Sequence, residues 1–443
     1  MDRRAFLLLA LAGAADPAPF PPLQPGGQLG TTGDTLAPDN TDEALNRFNQ
    51  WRSDFMIRAI ADGLPADVLS REFAGLTPDP HILALQTHQP EFSKPISAYV
   101  QGVVSEARVT QGQDRLAALT WLPSLEARFG VPAEILVSIW AVETNFGAIQ
   151  GDFDVLRSLA TLAAAGLRQD WAEGQIIAVI RIIASGEATR AQLHGSWAGA
   201  LGQTQFEPSQ YLALAVDGDG DGRRDIWGSA PDALASAANL LAMAGWRRGE
   251  RWQREMILPA GFDYGLTEGP VQPLAAWTAL GARTADGLAW NSVDAAEPAM
   301  LVTPAGAQGP AFLLLPNHFV LRQYNNALAY ALAVGLLADR MTGRPGLVTP
   351  WPQETPLSID DRMAAQSALT QLGFDAGAAD GLIGAKTRAA LRAWQQRNGL
   401  TADGYLSPAV VWRLRQAVTP PSVAPNLSPQ QPAAGGPTSQ TGN

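Results

Sequence analysis

The 443-residue chain contains no cysteine. That excludes a disulfide framework, a thiol nucleophile and a lipid-bearing cysteine near the N-terminus. Beyond its first residues, no segment reaches the roughly 18 uninterrupted apolar residues of a membrane span, so a soluble chain without a membrane anchor is expected. Positive charge is scarce too. With 31 Lys and Arg against 42 Asp and Glu the formal charge is -11, which argues against a nucleic-acid partner, whose binding is led by cationic contacts to phosphate. The four histidines, His81, His88, His194 and His318, show no metal-ligand spacing and read as ordinary surface or core residues.

What is present divides the chain. Arg3-Arg4, the apolar run from Ala5 to Ala12 and the small residues up to Ala15 form a charged, apolar, small-residue series, which predicts an export signal over residues 1–15. The arginine pair also resembles a twin-arginine signal. A frayed helix in a cytosolic chain is the weaker reading, because a Pro/Gly-rich stretch follows over 16–40. From 41 to 342 the pattern is mainly helical, with periodic segments at 44–61, 114–128, 154–166, 171–184, 231–245 and 325–341. Two apolar runs, 300–303 and 311–315, flank a turn-rich 304–310 and predict a hairpin in a small β-containing insertion over 255–322. The expected class is α+β, mainly α. A Pro-rich linker at 343–356 then leads to a helical module at 357–418 with two Asp-Gly turns, and few contacts are expected across that boundary. The tail, 419–443, has too little apolar content to fold.

One carboxylate is out of place. Pro132 and Gly147 bracket a short helix in which Leu136, Trp140 and Glu143 fall at i, i+4 and i+7, beside the row of Ile135, Ile139, Val142 and Phe146. Glu134, Ser138, Ala141 and Asn145 make the opposite face. Desolvation on the apolar side would raise the Glu143 pKa, as a general acid near neutral pH needs. A carboxylate at the wet margin of the stripe, or one paired with an arginine, fits equally simple chemistry, and from this helix alone that reading leads. Downstream, Ser196, Gln203 and Gln205 supply neutral hydrogen-bonding groups, Gly199 and Gly202 permit close backbone approach, and Trp197, Phe206 and Tyr211 supply flat apolar faces. These are the parts of a sugar-binding groove. Alone, such a loop is served as well by a plain interhelical turn.

Four separated segments carry more: Glu143-Thr-Asn-Phe-Gly147, Gly199 through Ser209, the stretch ending Asp225-Ile-Trp227, and Tyr324-Asn-Asn-Ala-Leu-Ala-Tyr330. In order and spacing they resemble the B-type lytic murein transglycosylases, over about residues 41–340. The module at 357–417 is similar to three-helix peptidoglycan-binding domains. The resemblance implies a lysozyme-like helical catalytic body, with Glu143 as sole acid/base and Ser196, Gln205, Tyr324, Asn325 and Tyr330 around the scissile bond. It further implies peptidoglycan glycan strands as partner, a periplasmic monomer and no required cofactor. Ala327 departs from the family's usual serine and Glu207 from its usual methionine. Two rivals stay open: a hydrolysing muramidase, for which Glu207 is the nearby second carboxylate, and a wall-binding scaffold without catalysis.

The acidic run from Asp217 to Asp225 places Asp217, Asp219, Asp221 and Asp225 at positions 1, 3, 5 and 9 of a calcium-loop pattern, with Gly222 at position 6. Position 12 is Gly228, so a structural calcium would need a later group such as Asp232, and a solvated Asp-Gly turn is an equal alternative.

Overall fold

The computed structural model describes residues 41–86, 95–290, 294–353 and 355–418. The export signal, the stretch after it and the tail expected at 1–15, 16–40 and 419–443 lie outside these. In chain order the helices are α1 (Thr41–Ala61), α2 (Ala66–Phe73), α3 (Pro80–Gln86), α4 (Ile96–Val103), α5 (Glu106–Ala118), α6 (Leu122–Phe129), α7 (Ala133–Thr144), α8 (Val155–Ala164), α9 (Gln169–Ala184), α10 (Pro208–Leu214), α11 (Ala230–Met243), α12 (Leu274–Ala279), α13 (Pro316–Tyr324), α14 (Leu328–Met341), α15 (Ile359–Gln371), α16 (Ala385–Arg397) and α17 (Pro408–Val418). The segment expected as one helix over 114–128 is two. Pro123 falls in the first turn of α6, where its missing N–H costs nothing, so a new helix starts there.

Helix α7 is the axis of the body, packed by α5, α6, α11 and α14. The expectation of one apolar and one polar face is corrected. Every residue from Ile135 to Ala141 is buried, including Ser138, whose Oγ donates to the Val334 carbonyl at 2.7 Å. A helix enclosed on all sides needs apolar residues all round, and its few hydroxyls must find carbonyls. Burying Leu136, Val137 and Ile139 contributes roughly 1.5–3 kcal/mol each. Glu143 lies in the last turn, half-buried, where the helix runs out of cover.

The β-containing unit is a five-stranded antiparallel sheet: β3 (Gln253–Ile257), β4 (Gln272–Pro273), β5 (Arg283–Thr284), β6 (Pro298–Val302) and β7 (Ala311–Leu314), in the order β4-β6-β7-β3-β5. The expected hairpin is β6–β7, in the register Met300 opposite Leu314. The unit begins at Gln253 rather than 255, and α13 already occupies its expected last residues. A two-residue ribbon, β1 (Phe153–Asp154) with β2 (His194–Gly195), ties the segment after α7 to the Gly/Gln loop. A Cβ on Gly151 would lie 2.1 Å from the Gly195 carbonyl oxygen, and one on Gly195 would lie 1.9 Å from that of Ala200, so the segment before β1 and the loop after β2 both close on Gly195 only because these two positions are glycine.

The C-terminal module uses one device twice. Gln366 Oε1 accepts from Gly381 N at 2.7 Å while its Nε2 donates to Asp380; Gln395 Oε1 accepts from Gly404 N at 2.8 Å while its Nε2 donates to Asp403. Each glutamine holds one Asp-Gly turn against the helix before it. The boundary expected to be nearly free of contacts is not. Val348 N and Thr349 N donate to the Glu255 carboxylate, and buried Trp351 packs on Phe312 with centroids 6.0 Å apart. Arg388 Nε pairs with Glu268 at 2.7 Å, and Asp403 Oδ2 accepts from Ala307 N at 2.9 Å. The proline-rich linker is stiff but apolar enough to lie on the sheet.

Candidate active site

Helix α7 stops abruptly at Thr144, one residue past Glu143. Asn145 and Phe146 both adopt left-handed backbone, with φ of 51° and 60°, and their amides return to the Ala141 and Trp140 carbonyls at 3.2 and 3.1 Å. Two successive non-glycine residues in that region cost about 1–2 kcal/mol each, strain that the surrounding packing must hold. Buried Thr144 fastens the turn: its Oγ1 donates to the Gln203 carbonyl at 2.6 Å and accepts from Gly147 N at 2.9 Å. Gln203 completes the joint, its Oε1 accepting from Trp140 Nε1 at 3.0 Å and its Nε2 donating to the Trp227 carbonyl at 3.1 Å. Gln150 reaches the same carbonyl at 3.0 Å.

The Tyr-Asn segment supplies the other wall. Tyr330, from α14, donates from its hydroxyl to Glu143 Oε1 at 2.6 Å. Tyr324, at the end of α13, donates to the Thr204 carbonyl. The two rings stack nearly parallel, 6° apart with centroids 6.4 Å apart, and the Tyr324 ring meets Phe206 edge-on. Burial first, and then the Glu143 charge, push both phenols well above their ordinary range. Tyr330 therefore stays a donor whichever form Glu143 takes. Asn325 accepts from Ala327 N at 3.0 Å through Oδ1, capping the approach to α14.

The Gly/Gln loop is built differently from the sequence expectation. Phe206 and Tyr211, taken as flat faces for sugar, are fully buried. Tyr211 donates to Glu187 and packs on Trp227, so both rings support the loop from beneath; Trp197 alone of the three is half-exposed. Three aromatic residues spaced nine and five apart, across a loop and the start of α10, give no periodicity from which to tell inside from outside. Ser196 Oγ accepts from Ala200 N at 3.0 Å, leaving its proton to donate elsewhere. Gln205, with φ of 52°, donates from Nε2 to the Gln150 and Gly202 carbonyls, both at 3.0 Å, which aims its Oε1 away from the loop backbone. Thr144 and Gln150 escaped the sequence reading. A threonine directly after Glu143 at a helix end, where a buried hydroxyl needs two partners, was the available signal.

Glu207 is occupied. Its backbone N–H donates to Gln210 Oε1 at 3.2 Å at the start of α10, and its carboxylate accepts from Gln175 Nε2 at 3.3 Å. The acidic loop brings Asp217, Asp219 and Asp232 together, with one ligand oxygen from each within 4.8 Å of the others. Asp221 and Asp225 turn elsewhere: Asp221 accepts from Arg223 N, and Asp225 from Trp227 N and Gly228 N. With glycine at position 12, Asp232 from α11 takes over, accepting from Gly218 N at 2.8 Å and Asp225 N at 2.7 Å. The Gly222 amide holds the Asp217 carboxyl below its ordinary range, and burial pushes that of Asp232 up.

A helical body presenting one phenol-bonded carboxyl among neutral amides, with a small sheet and an appended three-helix module, defines a lysozyme-like glycan-cleaving enzyme. The comparisons name the family. The transglycosylase SLT domain matches residues 47–339 and the peptidoglycan binding domain matches residues 358–414. SltB3 of Pseudomonas aeruginosa is 47% identical over 83% of this chain and 99% of its own, with a TM-score of 0.78, and was solved with NAG-anhNAM-pentapeptide and with NAG-NAM-pentapeptide. SltB1 of the same organism, a soluble lytic transglycosylase, is 29% identical over 66% of this chain and 98% of its own, with a TM-score of 0.59. The membrane-bound lytic murein transglycosylase B of Escherichia coli is 31% identical over 219 residues, 48% of this chain; the match spans 57% of that relative. The chain belongs to the transglycosylase SLT family of peptidoglycan lytic transglycosylases.

Proposed function

We propose that the protein cleaves the β-1,4 bond between N-acetylmuramic acid and N-acetylglucosamine in peptidoglycan and leaves a 1,6-anhydro muramic end. The observation that carries this is the bond from the Tyr330 hydroxyl to Glu143 Oε1, which sets that carboxyl beside the Gly/Gln loop in a chain matching the transglycosylase SLT domain. Hydrolytic glycosidases set a second carboxylate to activate water or attack the anomeric carbon, and the candidate for that role, Glu207, is engaged by Gln175. In the transglycosylase reaction no second carboxylate is required, because the attacking group is the muramic acid's own 6-hydroxyl. Glu143 gives its proton to the glycosidic oxygen as the bond to the anomeric carbon breaks. The resulting carboxylate takes the proton of the 6-hydroxyl as its oxygen closes on the anomeric carbon, restoring Glu143 with no water consumed. Tyr330 keeps Oε1 fixed through both steps, Gln205, its Nε2 held by the Gln150 and Gly202 carbonyls, accepts through Oε1 from a sugar hydroxyl or amide, and the muramic acid of such strands carries a peptide branch.

The substrate lies in the cell wall, so the protein acts in the periplasm, in keeping with the charged-apolar series at its start. Among the described residues no helix is long and apolar enough to cross a membrane. The grouping of Asp217, Asp219 and Asp232 supports a structural calcium there, with oxygen ligands from both sides of the loop. The deciding experiment is mass analysis of wall digests. Released fragments should be lighter by one water than hydrolytic counterparts; fragments ending only in reducing muramic acid would return the enzyme to the muramidase class.

A further inference from the structure

A second feature opens beside the catalytic turn. A cleft of about 400 Å³ runs between α5 and the strained Asn145–Phe146 pair and is lined by Gln111, Asp114, Arg115, Asn145, Phe146 and Ala148. The Arg115 guanidinium is held over two rings at once, 5.7 Å from the Trp140 centroid and 5.8 Å from that of Phe146. The two cation–π contacts orient an otherwise exposed side chain, whose N–H donors bond no other group among the described residues. No carboxylate among the described residues pairs with it, although the chain carries an excess of acid. Asp114, next in the same cleft, is exposed and likewise without an ion-pair partner among the described residues, because consecutive helical residues point about 100° apart. Opposite charges left apart in one cleft suit a ligand that carries both signs. A purely anionic ligand would meet Asp114.

Resting on the transglycosylase reading, we propose that this cleft binds the peptide branch of the substrate, Arg115 taking a free carboxylate of the peptide and Asp114 an amino group. Placement supports it: Phe146 and Asn145 follow Glu143 by three and two residues, and α5 packs on both α7 and α14, the helices that carry Glu143 and Tyr330. The cleft and the catalytic carboxyl thus share one helix end, within a few residues of each other along the chain. The planar guanidinium offers paired donors that match a carboxylate, which an ammonium cannot copy.

The test uses the full chain and three soluble glycan substrates: strands with intact peptides, the same strands with peptide carboxyls amidated, and strands stripped of peptide. Arg115→Gln should raise KM for the intact strands roughly five- to twentyfold, the loss of one charge-assisted contact, and leave the other two substrates within about twofold. Arg115→Lys should recover part of the loss. Equal effects on all three substrates, or none on any, would overturn the proposal. Binding of the same substrates to Glu143→Gln, with and without Arg115→Gln, separates the two readings: a preference for intact strands that vanishes with Arg115 upholds the cleft assignment even where no turnover is seen. Indifference to the peptide in the parent rejects it even where turnover is normal.

Discussion

Replacing His318 with leucine should make the protein markedly less sensitive to acid. His318 is fully buried in α13, against Trp252 and Phe319, and neither ring nitrogen has a hydrogen-bond partner. Burial, assisted by the Arg322 charge, pulls its pKa from 6.5 down to about 3. The folded state therefore keeps the ring neutral where the unfolded chain protonates it. Stability is full above about pH 6.5 and is lost as pH falls from there toward 3, at about 1.4 kcal/mol per unit. Between pH 7 and 5 that sums to about 2 kcal/mol, a sizeable share of a stability of about 5–15 kcal/mol. His318→Leu abolishes this loss and removes two unsatisfied polar atoms, against a small cost in shape. Urea unfolding of both proteins at pH 7, 6 and 5 reads the difference directly. The variant should gain about 2 kcal/mol on the parent over that range. Parallel loss of stability in the two proteins would refute the reasoning and place a proton or partner on His318 in the folded state.

Three further outcomes are expected. Glu143→Gln removes the transferable proton and should lower turnover by at least roughly 10²–10⁴-fold, whereas Tyr330→Phe keeps the stack on Tyr324, loses one hydrogen bond and should cost about ten- to a hundredfold; the reverse order in wall-digestion assays would move the acid/base role off Glu143. Calcium at millimolar concentration should raise the melting temperature of the parent, magnesium less so, and neither should act on Asp217→Asn/Asp219→Asn; a parent indifferent to calcium makes the loop an ordinary turn. Ending the chain at residue 353 should weaken retention on sacculi while leaving the body's melting nearly intact, but ending it at 343 also removes Trp351 and should cost a further 3–5 kcal/mol or so; equal melting of the two would show that the linker does not stabilise the sheet.

Helix positions were legible where apolar spacing was regular, as in α8, α9, α11 and α14, and the β6–β7 hairpin was legible from its turn. The four motif segments did meet: Thr144 bonds Gln203, Gln203 bonds Trp227, and Tyr330 bonds Glu143. What spacing could not reveal was burial on both faces of α7, since a helix enclosed by four others carries no polar side to mark its orientation. Nor could it reveal that Phe206 and Tyr211 point down, or that Asp232 replaces Asp225 in the acidic group, because those choices are made by partners 20 or more residues away or by the turn's own dihedrals. The docked linker was hidden for a related reason: proline content reports stiffness, and only Trp351 signalled that a stiff segment had somewhere to lie.

The bond from Tyr330 to Glu143 joins residues 187 positions apart, and the neighbouring bond from Ser138 to Val334 spans 196. Such distant partners are costly to bring together, because the chain between them must be ordered before the contact is gained. Any partial chain that ends before α14 therefore owns its carboxylate without the phenol that fixes it, and owns α7 without one of its walls. The catalytic turn of an enzyme directed at the cell wall is in this way complete only in a chain that runs through α14.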